Sequence, residues 1–134
     1  MKITQKQVSK SLGSIVNRVG TYLKNNIDGA YNLKKSSNTC DVYMMVLYQI
    51  PQENRRPNNR EDEEMLEMDL DINVVGYDNK IRVNVIEVSE SEKTLGSYTY
   101  KKEQLEDLEK LKDSILDKIQ KKLIKEYSDY DFVF

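Results

Sequence analysis

A strict alternation of apolar and polar residues runs through the middle of the chain. From Leu66 to Val74, apolar side chains occupy every second position. Successive side chains of a strand point to opposite faces of a sheet, so this pattern predicts a strand with one buried face and one acidic, solvated face. The polar positions of the strand are Glu67, Asp69, Asp71 and Asn73.

Further strands are predicted on both sides of this segment. Residues 41–50 are apolar on both alternating faces, which predicts a central strand covered on both faces. Turn-forming residues at 76–79 lead into a return strand over 81–88, where a shift of the apolar phase at Val85 predicts a β-bulge. Residues 95–100 are predicted to add a short edge strand.

Apolar residues at helical spacing predict one amphipathic helix near each end of the chain. The first helix begins with a capping-box pattern at Thr4 and should end at residues 25–26. Gly13 and Gly20 lie near its apolar stripe and predict close approach of a neighbouring element. The second helix is predicted over 101–127, with acidic residues near its start and lysines near its end, as the helix dipole favours.

These elements predict a single α+β domain with an N-terminal helix, an antiparallel or mixed sheet of three to five strands, a long C-terminal helix and a short terminal strand. The length of 134 residues suits one domain. Residues 51–64 contain no aliphatic side chain and are predicted to form a long, charged, mobile loop. Tyr130, Phe132 and Phe134 close the chain and predict an aromatic contact within the domain or with a partner.

The composition argues against several classes of function. There is no histidine, so the commonest general base and metal ligand is missing. The single Cys40 is predicted to be an inert packing residue, and scattered glycines form no phosphate loop. No apolar run approaches the roughly 20 residues that span a bilayer. We therefore expect no catalytic set, metal or cofactor, and a protein of a reducing cytosol or of a particle assembled there.

Three of the five arginines, Arg55, Arg56 and Arg60, lie in the charged loop. Guanidinium groups bind phosphates and carboxylates well, so the cluster predicts a partner-binding loop. The neighbouring acidic residues repel a nucleic-acid backbone, which favours a protein partner. The alternative is a solvated loop whose arginines pair with its own acidic residues.

The acidic strand face admits a catalytic interpretation. The carboxylate oxygens of Glu67, Asp69 and Asp71, joined by those of Glu87 from the next strand, are suitable ligands for Mg²⁺. Such a site would be that of a Mg²⁺-dependent nuclease. The alternative is a solvated face without chemistry. Two further tyrosines, Tyr98 and Tyr100, predict either edge-strand packing or a platform on which bases stack.

The predicted element order from Thr4 to Phe134 resembles that of small phage neck and tail-terminator proteins, which assemble into rings at the head–tail junction. No sequence motif accompanies this resemblance, and it identifies no residue. It implies a non-enzymatic virion protein that associates with copies of itself and with a connector. The alternative is a small phage- or plasmid-encoded regulator that binds a host nucleic-acid enzyme through its acidic face.

Charge is distributed unevenly along the chain. Residues 1–40 carry a net charge of +6, whereas residues 41–134 carry −8. Such an asymmetry influences association between molecules more than it influences the fold. We therefore expect protein partners, including further copies of this chain, rather than sequence-specific nucleic-acid binding.

Overall fold

Two helices lie on one face of a six-stranded antiparallel sheet. The computed structural model describes residues 5–89 and 92–134, with side chains from residue 14 onward. The predicted capping box at Thr4 and the predicted close approach at Gly13 lie outside this part. The architecture confirms the predicted α+β class. The helices and strands are α1 (Gln5–Asn26), β1 (Ala30–Lys35), β2 (Thr39–Gln49), β3 (Leu66–Tyr77), β4 (Lys80–Glu87), β5 (Lys93–Lys101), α2 (Leu108–Glu126) and β6 (Asp131–Val133).

The strands follow the order β1-β2-β3-β4-β5, and β6 pairs with β2 beyond the end of β1. Consecutive strands are therefore neighbours, which short antiparallel connections allow. The β3–β4 turn consists of Asp78 and Asn79, with φ angles of 48° and 60°. Both central residues of a two-residue type I′ hairpin need positive φ, and Asp and Asn tolerate it. The predicted hairpin at this position is confirmed.

The strand register decides which side chains meet the helices. Cys40, Val74, Val83 and Tyr98 stand opposite one another across four strands and share the face that α1 and α2 cover. The neighbouring row consists of Asp41, Asn73, Asn84 and Ser97, and it points away from the helices. We call that second side of the sheet the open face. The sheet therefore has one apolar face and one polar face.

The prediction that β2 is covered on both faces is wrong. Val42 and Val46 are buried beneath the helices, whereas Tyr43 and Met45 on the open face are only half-buried. Tyr and Met have large flexible or amphipathic side chains, which shield one another along a sheet without a helix above them. The burial is deeper along β3 than along β2.

The sequence pattern missed β1. Its residues are mostly exposed and polar, and the polar residues 34–39, which overlap its end, predict a loop rather than a strand. An edge strand forms ladder hydrogen bonds with one neighbour and needs no apolar pattern to do so. The predicted bulge exists as a register shift at Val85, but the extra residue is Leu95 on β5, because β4 continues its alternation to Glu87.

A close contact joins α1 to the sheet at Gly20. A Cβ atom at this position would lie 2.5 Å from Cys40 Sγ and 3.3 Å from Leu33 Cδ1. Cys40 is fully buried here, and burial raises the pKa of its thiol to about 12. The predictions of an inert, packed Cys40 and of close approach at Gly20 are both confirmed.

Replacing Gly20 with Ala should lower the free energy of unfolding by about 1–3 kcal/mol, because the new methyl group overlaps the Cys40 side chain. Helix propensity alone predicts the opposite, a gain of about 1 kcal/mol. The double variant Gly20→Ala/Cys40→Ala should recover most of the loss, since removal of Sγ makes room. Urea unfolding of the two single variants and the double variant measures this coupling. A stabilised Gly20→Ala protein would contradict the contact.

Candidate interaction surfaces

Contacts within residues 51–64 tie the charged loop together. The Arg56 guanidinium donates to Asp62 through Nε at 3.1 Å and Nη2 at 3.0 Å, and the Arg56 backbone N–H donates to Asp62 Oδ2 at 2.7 Å. These bonds hold the pKa of Asp62, which is 4 % exposed, below its ordinary value. Arg55 Nε donates to the carbonyl oxygen of Ile50 at 2.9 Å. Two of the predicted partner-binding arginines therefore fold the loop, and Arg60 lies exposed in its second 3-10 turn.

The acidic row of β3 is less solvated than its sequence predicts. Glu67 is exposed, Asp69 is half-buried and accepts a hydrogen bond from Tyr31 Oη at 3.2 Å, and Asp71 is 9 % exposed. The residues on the neighbouring strands shield Asp71 from the side, where Tyr43 and Ile86 stand opposite it. Of the three acidic residues on the predicted solvated face, only Glu67 is thus well exposed to solvent.

Glu87 does not join this row. It stands opposite Leu70 in the β3–β4 ladder and therefore shares the helix-covered face, where it is buried. Its carboxylate accepts a hydrogen bond from the Ser89 N–H at 2.9 Å. Arg82 does not join the row either, because it stands opposite Val75 and donates to Tyr77 Oη at 3.0 Å. The four carboxylates proposed for a metal site are split between two faces.

Tyr98 and Tyr100 lie beneath α2, so they are not an exposed stacking platform. Lys118 Nζ sits 4.8 Å and 4.6 Å from the centroids of the Tyr98 and Tyr100 rings. The Tyr100 hydroxyl is also 2.9 Å from Ser114 Oγ. Both tyrosines therefore fasten α2 to the edge strand β5, as the packing alternative predicts.

A chain of side-chain hydrogen bonds crosses the open face. Ser97 Oγ donates to Asn84 Oδ1 at 2.6 Å, and Asn84 Nδ2 donates to Asn73 Oδ1 at 3.0 Å. Asn73 Nδ2 then donates to Asp41 Oδ1 at 2.9 Å. Every donor points toward β2, so the chain ends on an acceptor, the Asp41 carboxylate. The sequence offered no signal for this network, because its members meet only once the register of four strands is set.

The C-terminal corner is a cluster of aromatic side chains around β6. β6 pairs with Leu47–Gln49 of β2, and the ring centroids of Tyr48 and Tyr130 are 4.6 Å apart. The Phe132 and Phe134 rings stack at 5.7 Å. The three predicted aromatic residues are thus brought together. The full cluster is Tyr48, Tyr127, Tyr130, Phe132 and Phe134.

An apolar groove of about 390 Å³ runs beside this corner, between α2 and the outer edge of β2. The groove opens along β2 between Met44, the last residue that pairs with β1, and Leu47, the first residue that pairs with β6. Gly29 spans that gap with a φ of 90°, and its carbonyl accepts the Met45 N–H at 3.0 Å. The residues that line the groove include Met45, Leu47, Leu116, Ile119, Val133 and Phe134.

The sequence leads us to expect neither a metal site nor a membrane-spanning segment. Among residues 5–89 and 92–134, no three Cys, Asp or Glu side chains converge as ligands for a metal ion. None of the helices in those residues combines the length and apolar character needed to cross a bilayer. Comparisons with protein-family models, curated proteins and solved structures find no match to this chain. A functional proposal therefore rests on the surfaces themselves.

Replacing Asp62 with Ala should open the charged loop, because the carboxylate that accepts all three bonds from Arg56 is lost. We expect trypsin to cut faster after Arg55 and Arg60 in this variant, as followed by mass spectrometry of native protein. Glu63→Ala is the matched control, since its side chain is exposed on the same turn. Equal cleavage rates in the wild type and both variants would show that the Arg56–Asp62 contact does not hold the loop.

Proposed function

We propose that this chain is a non-enzymatic interaction protein that assembles with copies of itself through the C-terminal corner and the groove beside it. The observation that carries the proposal is the position of Phe134. Its side chain is 57 % exposed, stacks on Phe132 and lines the apolar groove at the sheet edge. Aromatic side chains beside an apolar depression are typical of the centre of a protein–protein interface.

The backbone at the same edge favours a second copy as the occupant. Within the described residues, β6 pairs with β2 alone, so its outer edge retains unpaired N–H and C=O groups. An antiparallel strand from another chain can satisfy such groups. The exposed Phe134 side chain and the groove lie side by side. A two-fold axis through this edge of the sheet would therefore let each copy cover the apolar surface of the other.

The particular assembly that we propose is a virion component of the head–tail neck or tail, bound to a connector. Support for it is limited to the element order, in which β-strands lie between an N-terminal and a C-terminal helix and a short strand closes the chain. A closed ring needs a second contact besides the two-fold pairing. The charge asymmetry between residues 1–40 and 41–134 supplies an attraction of that kind, and it weakens with salt.

The two rival functions have less support. A regulator that mimics DNA phosphates needs regularly spaced, exposed anions, but Asp71 is buried and Asp69 accepts a bond from Tyr31. A Mg²⁺-dependent nuclease needs converging carboxylates, but Glu87 lies on the opposite face from Asp69 and Asp71. Self-association through the apolar edge of the sheet requires no rearrangement of these carboxylates.

Light scattering after size-exclusion chromatography should give a mass above the 15.7 kDa of one chain, increasing with protein concentration. Phe134→Ser should weaken the association about tenfold or more, because burial of such a side chain contributes about 1.5–3 kcal/mol. Ile124→Ser is the matched control, since Ile124 is 58 % exposed on α2 and does not line the groove.

Three outcomes are decisive for this experiment. Loss of association in Phe134→Ser alone supports the corner as the contact. Equal loss in both variants, or in neither, shows that the corner is not the contact. A wild-type protein that stays monomeric at every concentration and salt level overturns self-assembly.

A further inference from the structure

Two carboxyl groups meet at the centre of the open face. Asp41 on β2 and Asp71 on β3 are diagonal neighbours, because Asp41 stands opposite Asn73 and Asp71 stands opposite Tyr43. This register places both side chains on the open face, where Asp71 is only 9 % exposed and the charge and hydrogen bonding of Asp41 act on it. Neither group serves the self-association proposed above, since the corner and its groove lie at the edge of the sheet.

The hydrogen bonds around the two groups are unequal. Asp41 accepts a bond from Asn73 Nδ2 and terminates the chain of donors that crosses the sheet from Ser97. Asp71 Oδ1 is buried, and no donor from the described residues reaches it. A buried carboxylate without a donor is costly, whereas a protonated carboxyl can itself donate to a neighbouring carboxylate. The geometry therefore places the charge on Asp41 and a proton on Asp71.

The charges around the pair do not neutralise a second anion. Lys34 stands opposite Asp41 in the β1–β2 ladder, and its Nζ lies 5.3 Å from the centroid of the Tyr43 ring. Among the described residues, no ion pair joins Lys34 to either carboxyl group. On β4 the residue opposite Asp71 is Ile86, which is uncharged. The other titratable groups near the pair on the open side are Tyr31 on β1, Tyr43 on β2, Asp69 on β3 and Glu92 before β5.

We propose that Asp41 and Asp71 hold one proton between them, and that release of this proton as the pH rises is a switch that charges and loosens the centre of the open face. Release leaves two carboxylates in contact with one donor, Asn73, between them. The open face then gains a negative charge next to Asp69 and Glu67. A partner that covers this face would therefore meet a more negative surface after the proton is released than before.

The electrostatics agree with this geometry. Burial is the main cause that raises the pKa of Asp71 from an ordinary 3.8 to about 7, and the hydrogen bond and charge of Asp41 add to it. A carboxyl group whose pKa is higher in the folded than in the unfolded chain binds more protons when folded between the two values. Its contribution to stability is therefore full below about pH 4 and is lost progressively up to about pH 7.

The test is urea unfolding of the full-length protein at a series of pH values, with Asp71→Asn as the variant. In the wild type, this pair should lower the folding equilibrium constant by at least about tenfold between pH 5 and 7. Asp71→Asn should remove that decline and raise the urea midpoint at pH 8, because the amide donates to Asp41 without carrying a charge. Asp69→Asn, on the same face of the same strand, should keep the wild-type decline.

Two further measurements keep the proposal falsifiable if Asp71→Asn does not fold. The carboxyl carbon resonance of Asp71 should titrate near pH 7 in the wild type and at a lower pH in Asp41→Asn. Unfolding at two protein concentrations separates this effect from assembly, since only assembly makes the midpoint depend on concentration. A resonance that titrates near pH 4, or an Asp71→Asn protein with the wild-type decline, would overturn the shared proton.

Discussion

The pairing of β2 with β3 is the contact on which the rest of the molecule depends. Ten residue pairs run without interruption from Thr39 opposite Val75 to Tyr48 opposite Leu66. A slip of one residue would turn every side chain of one strand to the other face, so the apolar residues of both strands hold the register in place. This register puts Cys40 beneath Gly20, Asp41 beside Asp71, and the end of β2 next to β6.

The sheet satisfies the needs of its two faces in different ways. On the covered face, α1 and α2 bury aliphatic side chains, and Lys118 and Ser114 of α2 meet the two tyrosines of β5. On the open face no helix supplies partners, so polar side chains bond sideways from strand to strand toward Asp41. Asp71 lies beside this chain, and the side chains opposite it on the neighbouring strands, Tyr43 and Ile86, account for its burial without a helix above it.

The outer edge of β2 is shared by two short strands, and this arrangement produces the surface proposed for assembly. β1 covers the first part of the edge and β6 the last part, with Gly29 between them. The groove is therefore a gap in strand coverage rather than a cavity within the core. Val133 of β6 and Phe134, which follows it, border the groove, and both remain more than half exposed.

The second helix begins at Leu108 and not at residue 101 as predicted, because β5 extends to Lys101 and Lys102–Leu105 form a 3-10 turn. Apart from that boundary, the local sequence pattern was sufficient to predict both helices, the one-sided strand from Leu66, the Asp78–Asn79 hairpin and the buried Cys40. These features depend on residues close in sequence, whose spacing matches 3.6 or 2 residues per repeat. It was insufficient for β1, for the face of Glu87 and for Tyr98, because a strand's neighbours and its orientation come from distant segments. The ladder that ends at Asp41, its contact with Asp71, and the groove beside Phe134 were likewise decided only by the tertiary structure: each joins side chains whose distance is set by strand register and not by sequence separation.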